Sequence, residues 1–116
     1  MLLDKQVLQT LANNVGADAI DTLIAIYIED TQNTIKKLEK ACTNDDFAAI
    51  ALESHTLKSV SATYGASEAL ELSKSIDAKC KAHEEVANLK PEVKKLIEVL
   101  TKTLEAFKAF DFKSLI

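Results

Sequence analysis

A histidine and a lysine three positions apart are the residues of this 116-residue chain best suited to chemistry. Residues at that spacing in an α-helix lie on neighbouring parts of one surface, so His55 and Lys58 would stand side by side. A neutral imidazole beside an ammonium group suits a nucleophile that accepts a dianionic phosphoryl group, because the ring attacks while the cation offsets the charge on the incoming oxygens. The spacing alone, however, more often marks an ordinary exposed histidine beside a surface lysine.

The apolar pattern around His55 predicts that its ring faces water. At about 100° per residue, the residues of the expected buried face are centred roughly 120° away from His55 around the helix. These residues are Phe47, Ile50, Ala51, Ser54, Leu57, Ser61 and Tyr64. The nearest small residues on the His55 side are Ser59 and Ala62. We therefore expect a surface without bulky side chains around the ring, which a large partner can approach.

Residues 55–66 read HTLKSVSATYGA, a string that resembles the signature of histidine-containing phosphotransfer (HPt) domains. In that signature a histidine is followed by a spacer, an apolar residue, a lysine and a small residue. Several mostly small residues, an aromatic or aliphatic residue, a glycine and a small or apolar residue complete it, and every position is filled here. The chain also resembles the family in length and helical layout, with the small stand-alone LuxU kind most similar in layout and in the stretch 75–79.

The resemblance implies a role for each matched residue. His55 would be the phosphoacceptor, through its Nε2 atom, and Lys58 would help to hold the phosphoryl oxygens. Ser59 would occupy the small position where bulk blocks access, although glycine is the commoner family choice there. Gly65 would be the structural glycine that ends the helix. The implied reaction is a relay, in which His55 takes a phosphoryl group from a receiver-domain aspartate and passes it to another receiver.

The resemblance also implies partners and cofactors. We expect receiver domains of a hybrid sensor kinase and of a response regulator as partners, with Mg²⁺ on the receiver and no cofactor or metal bound by this chain. The chain would be a phosphocarrier and not an ATP-dependent kinase. From their phase on the His55 side, Ala48, Leu52 and Ala62 are expected to dock the receiver, with Leu52 partly exposed. The alternative is a helical adaptor that binds a receiver domain or a partner helix without carrying phosphate.

Composition narrows the remaining functions. The chain carries fourteen basic residues, all lysine, and a net charge of −4, which argues against reading nucleic acid because arginine is the residue that recognises phosphate and guanine best. No apolar run approaches the ~20 residues that span a membrane, and the first residues lack signal-peptide features. We therefore expect a cytoplasmic monomer in which Cys42 and Cys80 are reduced core residues. The three glycine and proline residues exclude a glycine-rich phosphate loop.

Helical periodicity predicts an all-α fold, an antiparallel up-down four-helix bundle with a short N-terminal capping helix, in one domain over residues 1–116. The capping helix is expected over residues 4–14, with Asp4 as its N-cap. The second helix is expected over residues 17–42. The third helix is expected to begin after an Asn44 or Asp45 cap and to end at Tyr64.

Two further helices complete the predicted bundle. The fourth is expected to begin with Ser67 as its cap and to direct His83 and Ala87 inward, so that Cys80 and His83 are interpreted as core residues and not as half of a zinc site. The fifth is expected to open with Pro91 in its first turn. Beyond it, Phe112 is a candidate for an exposed partner contact.

Overall fold

The computed structural model describes residues 1–115, and these form an antiparallel up-down four-helix bundle preceded by a short capping helix. The elements are α1 (Lys5–Val15), α2 (Ala17–Thr43), α3 (Phe47–Thr63), α4 (Ser67–Lys81) and α5 (Val86–Ala109), followed by a 3₁₀ turn (Phe112–Leu115). Each of α2 to α5 packs against the next, and α5 returns to pack on α2. The expected fold class is confirmed. Among the helices of residues 1–115, none has the length and apolarity needed to cross a membrane.

Two groups of apolar side chains fill the interior. One lies between the four long helices, and its fully buried members include Leu38, Ile50, Ile76, Leu96 and Leu100. The other joins α1 to α2 and α5, and its buried members are Leu8, Ala12, Ile20, Ile24, Tyr27, Leu104, Phe107 and Phe112. The stripes that carry these residues repeat at helical spacing, so each helix hides one face and leaves the other to water.

The helix ends follow local chemistry, with two corrections. Asp4 caps α1 as expected, because its carboxylate accepts from the amides of residues 6 and 7. The cap of α3 is Asp46 and not Asn44 or Asp45: its carboxylate accepts from the Ala49 amide. The two preceding residues form the turn, with Asp45 at a positive φ of 52°. Ser67 is likewise the first residue of α4 and not its cap.

The fifth helix begins at Val86, five residues before the expected start at Pro91. A proline inside a helix removes one backbone donor, which leaves the carbonyl four residues earlier without its partner. That carbonyl belongs to Ala87, and both residues are on the exposed face, where water can take the missing place. Leu89, in the turn before the proline, is fully buried, so its packing favours the longer helix.

Three residues have a burial opposite to the one that the sequence pattern predicted. His83 is exposed because α4 ends at Lys81, and the chain turns there with His83 at φ 57°. Ala87 is exposed for the same reason, since it belongs to α5. Phe112 is buried, with its ring 5.5 Å from that of Phe107, so it contributes to the core and offers no partner contact. Cys80 and Cys42 are free and buried, as expected.

The N-terminal segment closes over the turn between α3 and α4. The Asp4 amide donates to the Gly65 carbonyl at 2.7 Å, and the Ser67 amide donates to the Leu2 carbonyl at 3.1 Å. Gly65 has φ 68°, a left-handed conformation that glycine adopts without strain. A β-carbon at this position would lie 2.8 Å from the Asp4 carbonyl oxygen. The turn therefore requires glycine for its backbone angle and for the close approach of the N-terminal segment.

We expect Gly65→Ala to lower the free energy of unfolding by about 2 kcal/mol, measured by urea denaturation, because it combines left-handed strain with a backbone clash. Gly65→Asn separates the two causes, since asparagine tolerates positive φ but also carries a β-carbon. The asparagine variant should keep most of the loss. Full recovery of stability by asparagine would contradict the importance of the contact with Asp4.

Candidate functional site

His55 lies near the middle of α3 with its imidazole directed to solvent. The side chain is 61% exposed, whereas the opposite face of the helix buries Ile50, Ser54, Leu57 and Ser61. The orientation expected from the sequence is confirmed, because the apolar stripe fixes the rotation of the helix about its axis. The ring therefore stands at the centre of α3, with about two helical turns on either side of it.

The neighbouring helix approaches α3 closely on the His55 side. Of all the helix pairs, α3 and α4 make the most extensive contact. Small buried residues on both helices permit this approach, Ser54 and Ser61 from α3 and Ala69 and Ser73 from α4. Short side chains at a helix interface let the backbones come together. A side chain of α4 can therefore reach across the interface to the imidazole.

That side chain is Asp77, whose carboxylate is 6% exposed and lies between the two helices. Its Oδ1 atom is 3.2 Å from Nδ1 of His55. Its Oδ2 atom is 2.7 Å from Nζ of Lys58 and 2.9 Å from Nζ of Lys81. The contacts with the two ammonium groups hold the pKa of Asp77 well below its usual range, and the His55 hydrogen bond adds to this against the opposing effect of burial. The carboxylate is therefore ionised at neutral pH.

The ionised carboxylate fixes the proton on the imidazole. A carboxylate without a proton can only accept hydrogen bonds, so the nitrogen that faces it, Nδ1, must be the donor. In the neutral ring the proton then lies on Nδ1, and Nε2 keeps its lone pair. Because Nδ1 faces the α3–α4 interface, Nε2 lies at the solvent end of the ring. The arrangement presents an unprotonated nitrogen to an approaching partner.

The other expected site residues share the exposed side of α3 with the ring. Lys58 follows His55 by one turn, and its ammonium group shares Asp77 with the imidazole. Ser59 is exposed, as are Ala48 and Ala62. Leu52 is 62% exposed, as expected. It lines a shallow groove with His55, Asp77 and Lys81.

Sequence reasoning missed Asp77 and Lys81, although a signal for the first was present. The buried residues of α4 include Ser73, Ile76, Asp77 and Cys80, which follow the i, i+3, i+4, i+7 spacing of an inward face. A carboxylate in such a set must find cationic or hydrogen-bonding partners, because a buried isolated charge is costly. Lys81 then lies four residues after Asp77, a spacing at which opposite charges meet on one helix.

Comparison with known proteins finds a family model and relatives that match most of the chain. The family model of the Hpt domain matches residues 22–110. Phosphorelay protein LuxU of Vibrio vulnificus is 26% identical over 106 residues, 91% of each chain. LuxU of Vibrio harveyi is 25% identical over 109 residues, 94% of this chain and 95% of LuxU.

Two solved structures share the fold. One is the HPT domain of an Hpt sensor hybrid histidine kinase from Shewanella, with a TM-score of 0.81, 24% identity and coverage of 92% of this chain and 91% of that one. The other is histidine-containing phosphotransfer protein B of Pseudomonas aeruginosa, with a TM-score of 0.83, 20% identity and the same coverage.

Replacing Asp77 with asparagine tests the buried ion pairs. A carboxyl whose pKa is lowered by folding stabilises the protein above its unfolded pKa of about 3.9, and this stabilisation is lost as the pH falls toward the lower folded value. We therefore expect D77N to lower the free energy of unfolding by about 2 kcal/mol at pH 7. The gap to the wild type should shrink as the pH falls below about 4.

Urea denaturation between pH 7 and pH 2.5 measures this gap. Asp30→Asn, at an exposed position of α2, is the matched control and should leave the free energy of unfolding nearly unchanged throughout. A difference between D77N and the wild type that stays constant down to pH 2.5 would contradict a lowered pKa for Asp77.

Proposed function

The chain belongs to the Hpt domain family, and we propose that His55 is the residue that carries the phosphoryl group in its function, histidine phosphotransfer in a phosphorelay. The observation that supports this assignment most directly is the exposed imidazole whose Nδ1 faces the ionised Asp77 carboxylate. That contact leaves Nε2 as the free nucleophile. The other histidine of the chain, His83, has no comparable arrangement, since it lies in the turn after α4.

In the proposed reaction, the lone pair of Nε2 attacks the phosphorus of an aspartyl phosphate on a receiver domain. A nitrogen–phosphorus bond forms while the bond from phosphorus to the aspartate oxygen breaks, and its electrons leave with the aspartate as a carboxylate. No proton has to be removed from Nε2. The ring keeps its proton on Nδ1 and gains a positive charge, which the Asp77 carboxylate stabilises. Transfer to a second receiver is the reverse of these steps.

Lys58 and Ser59 complete the proposed site. The Lys58 ammonium group lies one turn from His55, and its positive charge offsets the negative charge of the phosphoryl oxygens. The exposed Ser59 side chain is small, so it leaves the approach to the ring open. Phosphoryl transfer requires mainly alignment and charge stabilisation, which these few groups supply together with the partner.

Hpt proteins of phosphorelays interact with receiver domains, and we propose two kinds for this chain. The donor would be the receiver of a hybrid sensor kinase, and the acceptor would be the receiver of a response regulator. Mg²⁺ would remain on the receiver, which also holds the aspartate. The chain would act as a monomeric phosphocarrier and not as an ATP-dependent kinase.

The proposed docking surface consists of Ala48, Leu52 and Ala62, all exposed on the His55 side of α3. Leu52 is the large apolar residue of this set, and burying it against a receiver would supply most of the hydrophobic contribution to binding. The small alanine side chains on either side would let the receiver approach close enough for in-line transfer.

Transfer of labelled phosphate tests the role of His55. We expect the wild-type chain to take label from phosphorylated receiver domains as an acid-labile, base-stable phosphate, and His55→Gln to take none, because the nucleophile is gone. His83→Asn is the matched control, since it removes the other histidine and asparagine tolerates the positive φ there. It should label like the wild type.

Equal labelling of the wild type and His55→Gln would move the phosphoacceptor elsewhere. The absence of label on the wild type with every one of several receivers would favour the adaptor, which binds a receiver without accepting phosphate.

Leu52→Asp tests the docking surface. We expect it to slow transfer by about tenfold, because it replaces a central apolar contact with a charge, while the circular dichroism spectrum stays that of a folded bundle. Ile26→Asp makes the same exposed apolar-to-acid change on α2 and is the matched control. An equal loss in both variants would contradict a surface centred on Leu52.

A further inference from the structure

Asp77 is paired with two ammonium groups, although one would neutralise its charge. Lys58 and Lys81 both contact its Oδ2 atom, at 2.7 Å and 2.9 Å, while Oδ1 faces the His55 ring. Two ammonium groups against one carboxylate give this cluster one surplus positive charge. This surplus charge lies beside the His55 ring, whose Nε2 atom is proposed to receive a dianionic phosphoryl group. The second lysine can therefore do more than neutralise Asp77.

The two lysines reach Asp77 from different helices, and Lys81 is the more exposed of the two, 62% against 30% for Lys58. Lys58 is on α3 with His55, and its side chain is about two thirds covered. Lys81 is the last residue of α4 and follows Asp77 by four residues, so it reaches the carboxylate from the same helix. Its positive charge at the C-terminal end of α4 is also favoured by the helix dipole. Lys58 is thus the lysine that shares a helix with the phosphoacceptor, and Lys81 is the one that shares a helix with the carboxylate.

We propose that Lys81 keeps Asp77 paired while Lys58 moves from that carboxylate to the phosphoryl group on His55. A buried carboxylate that loses its partner is strongly destabilised, so without Lys81 the movement of Lys58 would leave Oδ2 without a cation. With Lys81 already in contact, the departure of Lys58 costs much less. Lys81 is then a positioning residue that acts through Asp77. This inference rests on the proposed role of His55.

The charges of the loaded site agree with this division of roles. The phosphoryl group brings two negative charges and the ring gains one positive charge when Nε2 is phosphorylated. Together with Asp77 and the two lysines, these charges cancel. If Lys81 were absent, the loaded site would carry one net negative charge in a partly buried position, which is unfavourable in a medium less polar than water.

Lys81→Met tests the inference with the receiver domain that loads the wild type. We expect the initial rate of label transfer to fall about fivefold, the upper size typical of one lost solvent-exposed ion pair. Lys74→Met is the matched control, because it removes an exposed lysine of α4 whose partner is Glu71 and not Asp77. It should leave the rate unchanged. Lys81→Arg, which keeps a cation for Oδ2, should retain most of the wild-type rate.

Lys81→Met is also tested in a chain that carries Asp77→Asn. This double variant separates an action of Lys81 through Asp77 from a direct contact of Lys81 with phosphate. In that background Lys58 has no carboxylate to leave, so Lys81→Met should cause no further loss of rate. The ¹⁵N NMR signals of the His55 ring should be the same in Lys81→Met as in the wild type, which shows that the lost rate does not come from a changed tautomer.

Three outcomes would overturn the inference: an unchanged rate in Lys81→Met, the same loss in the Asp77→Asn background as in the wild type, or no recovery in Lys81→Arg. The second would indicate that Lys81 contacts the phosphoryl group directly. A wild-type chain that takes no label from any receiver contradicts the proposed function itself, and the inference about Lys81 falls with it. A loss of transfer rate on Lys81→Met that occurs only in chains with Asp77 supports the inference.

Discussion

A single buried carboxylate determines how the exposed imidazole is held. Asp77 lies in the interface between α3 and α4, where an ionised group is stable only if cations and donors surround it. Those partners are His55 and Lys58 from the facing helix and Lys81 from its own. The requirement to satisfy one buried charge therefore sets the protonated nitrogen of the ring and the position of the neighbouring ammonium group.

The same interaction depends on a scaffold that brings α3 and α4 close together. Small side chains such as Ser54 and Ser73 are buried in both helices near the site. The turn that joins the helices is held by the N-terminal segment, which bonds to the Gly65 carbonyl and approaches the glycine too closely for a β-carbon. Residues far from His55 in the sequence therefore help to fix the distance between His55 and Asp77. They do so because α3 and α4 are rigid and close-packed, so packing at one end of the helices fixes their positions at the site.

Local patterns predicted most of the fold and the exposed half of the site. The bundle, the solvent-facing His55 and the adjacent Lys58 follow from helical periodicity, which one helix at a time can establish. The contact between His55 and Asp77 joins residues of two helices, so it depends on how far α4 is shifted along α3, a quantity that no single-helix pattern contains. The start of α5 before Pro91 and the burial of Phe112 have the same origin, since tertiary packing overrides local preference.

A carrier must release its phosphoryl group as well as accept it, and the ion pairs of Asp77 suit both steps. If Lys58 had no other partner, the full electrostatic attraction between its ammonium group and the phosphoryl oxygens would stabilise the phosphorylated form. In the structure Lys58 is already bound to Asp77, so the proposed contact of Lys58 with a phosphoryl group would be gained only as a carboxylate contact is lost. The exchange of one anion for another reduces the net stabilisation of the phosphorylated form. With His55 as the proposed phosphoacceptor, Asp77 would limit the affinity of the site for phosphate while it keeps Nε2 unprotonated, which suits a group that passes between two aspartates.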